Sequence, residues 1–228
     1  MRTLRIAAVA DVHSPKFLKE FTNSLTKIGS PELFLFAGDI VNFGKAAEYR
    51  NVTEAIDMRL DPSLPIVACF GNEEFAGIRN DILQLTDDRV TFLDDEAMTF
   101  DHGRSKLGIV GTHAPFQSRG DSEDVDSTDI RKAFDSRAKR LSKILQEVAR
   151  KVDDTILLMH YNPLSESLEE SEGDFFSWWI SKATESVQPD LIIHGHVHNP
   201  MRIDTRIGRT RVVNVAFPAR REVTQITL

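Results

Sequence analysis

With 228 residues, 41% of them hydrophobic and 28% charged, the chain has material for one sizeable α/β core, so a single domain over 1–228 is the simplest expectation. The net charge of −7 argues against a nucleic-acid groove and requires that any anionic substrate be drawn by a bound cation or a local arginine cluster. The one cysteine, Cys69, cannot form an internal disulfide and reads as a small buried hydrophobe; no stretch approaches the roughly 20 apolar residues of a membrane helix.

The N-terminus, MRTLRIAAVADVH, has a basic residue and an apolar run, as a signal peptide does. The run ends in Asp11 and His13 without a small-residue cleavage pattern, so 4–10 reads as a first core strand and the protein as cytoplasmic. A helix is predicted over 16–28, then the strand LFLFA (33–37), a helix over 45–60, the strand PIVACF (65–70) and a helix over 75–85. Residues 90–100 are expected to pair with 105–111 across the turn Asp101-His102-Gly103, with KLGIVGT (106–112) as a strand. A long helix follows over 128–152, where Leu141, Ile144, Leu145, Val148 and Val152 form one apolar face. The strand TILLM (155–159), a helix over 175–187 and the strand LIIH (191–194) come next. RIDTRI pairs with RTRVVNV across Gly208, and TQITL closes the chain. The strand runs are apolar throughout, as in sheets covered on both faces, and the element order predicts two sheets wrapped by helices. The polar stretches 117–129 and 165–174 read as surface loops, candidates for mobile lids.

Polar residues recur where the apolar runs stop. The first strand ends in Asp11 and His13, the second in Gly38-Asp39, the third in Gly71-Asn72; TILLM ends in His160, and LIIH runs into Gly195-His196-Val197-His198. Each motif alone has an ordinary explanation. Asp-x-His tripeptides cap and turn, Gly-Asp turns, and a lone histidine is more often a satisfied core residue than a ligand. The pair His196 and His198 says more, since alternate residues of an extended segment share one side. The joint pattern overturns the ordinary readings, because ligands bind where the carboxyl ends of α/β strands meet. Imidazoles with carboxylates suit first-row transition ions.

In its ordered motifs ADVH (10–13), AGDI (37–40), FGNEEF (70–75), LMHYNP (158–163) and HGHVHNP (194–200), the chain resembles the calcineurin-like metallophosphoesterases. The resemblance implies a four-layer αββα sandwich of two mixed β-sheets flanked by helices. It implies one metal ion on Asp11, His13, Asp39 and His198 and a second on Asp39, Asn72, His160 and His196, with Asp39 bridging. The pair would be divalent transition ions, manganese foremost, with iron, zinc or nickel also fitting. The implied activity is hydrolysis of small phosphate esters by a metal-activated hydroxide.

One position departs from the family pattern. The residue after Asn72 is usually a histidine that assists the leaving group, and here it is Glu73. A glutamate beside two cations is expected to be ionised and a poor proton donor, which favours phosphodiesters, or esters with acidic leaving groups, over ordinary monoesters. The next acid, Glu74, matches the motif and is expected to orient an imidazole. His113, at the end of another strand, is a candidate to take over the acid role, against an equally good reading as a hydrogen-bonded strand-end residue. His194 is expected to point away from the metals, His102 to be solvated, Arg119 to lie on the surface, and one of Trp178 and Trp179 to be core. The alternatives are a nuclease, against which the acidic balance weighs, and a protein-interaction scaffold. The retention of all seven ligand positions weighs against the scaffold.

Overall fold

Leu33–Ala37 is apolar at every position because both of its faces are covered; it forms β2, with all five residues buried. Its side chains alternate between two cores. Phe34 and Phe36 join Phe21, Tyr49, Val52 and Ile82, while Leu33, Leu35 and Ala37 join Ile109, Ile156, Leu158 and Ile193. This computed structural model describes residues 3–113, 127–164 and 172–228, without the side chains of 127–130 and 172–175.

β1 (Arg5–Val9), β3 (Ile66–Cys69), β4 (Thr91–Phe92) and β11 (Thr224–Thr227) complete a five-stranded sheet around β2, in the order β11-β1-β2-β3-β4. Only the β11–β1 pairing is antiparallel. The second sheet has six strands, β5 (Glu96–His102), β6 (Ser105–Gly111), β7 (Asp154–Leu158), β8 (Leu191–His194), β9 (Asp204–Ile207) and β10 (Thr210–Asn214). Their order is β5-β6-β7-β8-β10-β9, with a parallel centre and an antiparallel strand at each edge. Helices α1 (Leu18–Leu25), α2 (Glu48–Asp57) and α3 (Ala76–Thr86) supply the core residues outside the first sheet. Helices α4 (Ser127–Ala149) and α5 (Glu172–Ala183) do the same for the second. With the third core lying between the sheets, the layers are helix, sheet, sheet, helix. A short α6 (Phe217–Arg220) precedes β11. No described helix is long and apolar enough to cross a membrane.

Two expectations need correction. Residues 90–100 do not form one hairpin strand: Thr91–Phe92 pairs with β3 in the first sheet, and only Glu96–His102 pairs with β6. The chain changes sheets between them, with Asp95 in a left-handed conformation (φ 53°). His102 is not simply solvated; its ring is half-buried and lies 3.8 Å from the Glu32 carboxylate. Trp179 is fully buried, whereas Trp178 is half-buried with Arg131 and Lys182 against its ring. Cys69 is buried, which pushes its thiol pKa well up. Arg119 and most of the two polar loops lie outside the described residues.

Gly111 shows how closely the sheets approach. A Cβ there would lie 2.2 Å from Leu93 Cβ and 2.8 Å from the Leu93 carbonyl oxygen, which cannot rotate away. Gly111→Ala is therefore expected to lower stability by about 1–3 kcal/mol, read as a lower urea midpoint at unchanged m-value.

Candidate metal centre

Where β1 and β2 end, the backbone turns sharply. Asp11 (φ 57°), His13 (φ 43°) and Asp39 (φ 53°) are left-handed, as is His196 (φ 69°) beyond β8. Such conformations cost on the order of 1 kcal/mol or more in non-glycine residues and persist where neighbours enforce them. Here the Asp11 N–H donates to Gly38 O (3.0 Å), the His13 N–H to Asp39 O (3.1 Å) and the His196 N–H to Asp11 Oδ2 (2.8 Å). Two glycines permit the approach of the loops. A Cβ on Gly71 would lie 2.2 Å from Asp39 Oδ1, and one on Gly195 would lie 2.5 Å from Asp11 Oδ2.

All seven candidate ligands meet at this rim, in two groups. His198 Nε2 lies 3.0 Å from Asp11 Oδ1 and 3.3 Å from His13 Nε2. On the other side, Asn72 Oδ1 lies 3.0 Å from both His160 Nε2 and His196 Nδ1, and His160 Nε2 is 3.4 Å from Asp39 Oδ2. Ligand atoms of Asp11, His13 and His198, and those of Asp11, Asp39 and His160, each fall within 4.8 Å of one another. Asp11, Asp39 and His160 are buried, whereas His196 and His198 are exposed at the mouth.

The charge state of this cluster fits cations. Desolvation pushes His13 down; His196 reaches solvent at the mouth, yet desolvation of its ring and the neighbouring His160 push it down to about 4, leaving both imidazoles neutral with lone pairs available. Burial acts the same way on His160, yet Asp39 and Asp11 pull its ring up to about 10. Burial also opposes a charge on Asp39, but His160 and the Glu73 N–H hold its carboxyl below the usual range. A buried carboxylate pair that recruits the nearest proton so strongly is one that a metal ion would neutralise. The His13 ring presents Nε2 to the rim while its buried Nδ1 has no hydrogen-bond partner.

Residues 4–200 match the sequence profile of the calcineurin-like phosphoesterases. The chain belongs to that family. No curated protein matches it significantly. Among solved structures it is similar to a Staphylococcus aureus protein described as a 5'-nucleotidase, crystallised with alpha-ketoglutarate (15% identity, TM-score 0.66). That alignment covers all of this chain but only 51% of the other. TT1561 of Thermus thermophilus aligns over 99% of both chains (14% identity, TM-score 0.60). GAP50, the anchor in the inner membrane complex of Plasmodium, aligns over 96% of this chain and 73% of its own (14% identity, TM-score 0.63). At such identities the likeness shows a shared fold. The family binds divalent metals, and the clustered donors here are suited to them.

The two acids of the FGNEEF motif do unlike things. Glu74 is fully buried and forms no hydrogen bond with an imidazole among the described residues. It takes four backbone N–H groups, those of Asp39 (2.8 Å) and Gly71 (2.7 Å) on Oε2 and of Ile40 (2.6 Å) and Val41 (3.2 Å) on Oε1. Burial and the Asp39 charge push its pKa up to about 7 against those bonds. Glu73 is half-buried; its N–H donates to Asp39 Oδ1 (2.8 Å), and its carboxylate accepts from the Phe43 N–H (2.7 Å).

His113 is held away from these ligands. Its Nε2 faces Arg79 Nη1 (3.0 Å), and its Nδ1 contacts Asp94 and Arg137. Burial and the two arginines push its pKa down, against the pull of Asp94. Burial opposes ionisation of Asp94, but His113 and Arg137 hold its carboxyl at about 2. Arg79 also donates to Glu74 O (2.9 Å) and lies over the Phe70 ring. His194 is buried, with Nδ1 3.0 Å from Gly195 O and its pKa pushed down to about 4 by burial. Two residues escaped sequence reasoning. Tyr161 stacks on Phe176 and lies 4.6 Å from the His196 ring; Asn214 Nδ2 donates to Val197 O (2.9 Å) inside the His-Val-His loop. Tyr161 lies within LMHYNP, but its residue type gives no sign that it meets the His196 ring, and Asn214 lies outside the motifs, on β10.

Glu74→Gln would set an amide N–H₂ against backbone donors. We expect a loss of about 1.5–3 kcal/mol in urea unfolding and a fall of about 10- to 100-fold in Mn²⁺ affinity by calorimetry.

Proposed function

We propose that the rim is a dinuclear metal centre for phosphoester hydrolysis, with phosphodiesters favoured over monoesters. The observation that carries this reading is the convergence of seven side chains from five strand ends, with donor atoms 3.0–3.4 Å apart within each group. One ion would be held by Asp11, His13, Asp39 and His198, and the other by Asp39, Asn72, His160 and His196. When bound, such ions supply Lewis acidity to phosphoryl oxygens and to a water molecule.

The chain's own groups do the rest. Asp39 is tied to the β3 loop through Glu73 N–H and fixed by the Glu74 carboxylate, so it can serve both halves of the centre. Asn72 turns Oδ1 toward His160 and His196; its amide N–H groups have no partner among the described residues and can donate to a phosphoryl oxygen. Glu73 adds a carboxylate beside Asn72. A monoester dianion meets more repulsion there than a diester monoanion. The likeness to a protein described as a 5'-nucleotidase supports a phosphoester substrate and makes monoesters the competing choice. Both ring nitrogens of His113 are engaged, which favours a bracing role over proton donation. A second reading, a scaffold with little turnover, draws on the absent histidine and on the likeness to GAP50, described as an anchor.

Asp39→Asn is expected to lower Mn²⁺-supported hydrolysis of bis-p-nitrophenyl phosphate at least about 100-fold. A wild-type protein that binds Mn²⁺ but turns over no member of a broad phosphoester panel would favour the scaffold. Glu73→His should shift the monoester-to-diester rate ratio toward monoesters, and an unchanged ratio would remove Glu73 from the account of specificity.

A further inference from the structure

β9 is the edge strand of the second sheet, paired with β10 on one side and with no strand on the other among the described residues. Asp204, Arg206 and Ile207 are exposed along it. The Asn214 N–H donates to Ile203 O (2.8 Å), so the Ile203 carbonyl faces β10. Backbone groups of successive residues in an antiparallel strand point to opposite sides. Those of Thr205 and Ile207 therefore also face β10, and those of Asp204 and Arg206 face outward.

The segment Ile203-Asp204-Thr205-Arg206-Ile207 is its own complement. Laid antiparallel on a second copy with Thr205 at the centre, it sets Asp204 opposite Arg206 and Ile203 opposite Ile207, each twice by symmetry. The outward-facing residues then form the hydrogen-bonded pairs, and opposite charges meet. A slip of two residues would set Arg206 against Arg206 or Asp204 against Asp204, which like-charge repulsion disfavours. A slip of one would turn the backbone groups out of register. Within one copy, Arg206 stands opposite Arg211 on β10, and Arg211 is clasped by Asp204 (2.6 Å). Arg206 itself forms no ion pair with a carboxylate among the described residues; Asp204 of a second copy supplies one. On the other face of the strand, Ile203 and Ile207 are each 38% exposed, with Met201 exposed beside them. Ile207 also lines a cavity of about 170 Å³ with Leu164, Ile180 and Ile192, so the face on which the isoleucines meet is already apolar.

We propose that β9 pairs with β9 of a second copy, joining two six-stranded sheets into one continuous sheet across a twofold axis. Each Asp204–Arg206 pair exchanges both backbone N–H···O bonds and adds a cross-strand ion pair, and each Ile203–Ile207 pair buries apolar surface. Charges on an edge strand ordinarily keep sheets apart. That protection fails where the signs match when the strand is reversed, as they do here. A contact built on one short strand gives a readily reversible dimer. The metal rim takes no part in it, so the dimer stands or falls independently of the hydrolytic reading.

Sedimentation equilibrium of the full chain across the micromolar range should show monomer and dimer in exchange. Arg206→Asp turns both opposite-charge pairs into like-charge pairs and is expected to raise the dissociation constant about 10-fold or more. Arg150→Asp makes the same change of charge at an exposed position beyond α4 and should leave it as it is. The register is read by cross-linking. Thr205 faces its own copy in a non-hydrogen-bonded pair, with Cα atoms about 4.5 Å apart, within disulfide reach. Thr205→Cys should therefore give a covalent dimer with oxidised glutathione. Ile203→Cys, whose two copies stand roughly 14 Å apart, should not. The native Cys69 is buried and does not interfere. A wild-type chain that stays monomeric, an unchanged dissociation constant in Arg206→Asp, or cross-linking of Thr205→Cys no faster than that of Ile203→Cys would each overturn the pairing. Should Arg206→Asp melt below the wild type, the two cysteine variants decide.

Discussion

A single buried carboxylate holds the two halves of the first sheet's rim together. Glu74 accepts N–H groups from Gly71, beyond β3, and from Asp39, Ile40 and Val41, beyond β2. Loops at strand ends have few backbone partners of their own, and N–H groups left unpaired inside the protein are costly. One side chain with two oxygens satisfies four of them and thereby places Asp39 and Asn72 on adjacent loops. The left-handed turn at Asp39 and the missing side chain at Gly71 follow from the same constraint, since the loops must nearly touch.

Once these loops are in place, the rim becomes an electrostatic problem. Asp11 and Asp39 are both buried, and neutral imidazoles cannot offset their charge. His160 answers by holding a proton tightly, the closest the protein alone can come to placing a cation there. Family membership and this imbalance point the same way, toward divalent metal. The same reasoning separates Glu73 from Glu74. The first keeps its carboxylate at the half-buried edge, against the Phe43 N–H. The second is wholly enclosed by backbone donors.

Charge is distributed unevenly over the molecule. The acidic balance of the whole chain conceals six arginines within residues 201–222. Lys16 and Arg221, far apart in the chain, both lie against the ring of Phe17. Fields near a cleft depend on local groups far more than on the net count.

Much of this was legible in the sequence. Unbroken apolar runs such as LFLFA identified central strands, because a residue covered on both faces must be apolar whatever its direction. The strand-end motifs identified the candidate ligands, because side chains that bind an ion leave a residue type and an order behind. Other features belong to the tertiary structure alone. The crossing of residues 91–102 from one sheet to the other was invisible, since both destinations demand the same β-forming residues. So was the work of Glu74, whose partners are backbone amides and leave no mark on residue identity. The commitment of His113 to Arg79, Asp94 and Arg137, and the meeting of Lys16 with Arg221 over Phe17, likewise depend on segments far apart in the chain. A sequence records what each side chain can do; which partner it meets is decided by packing.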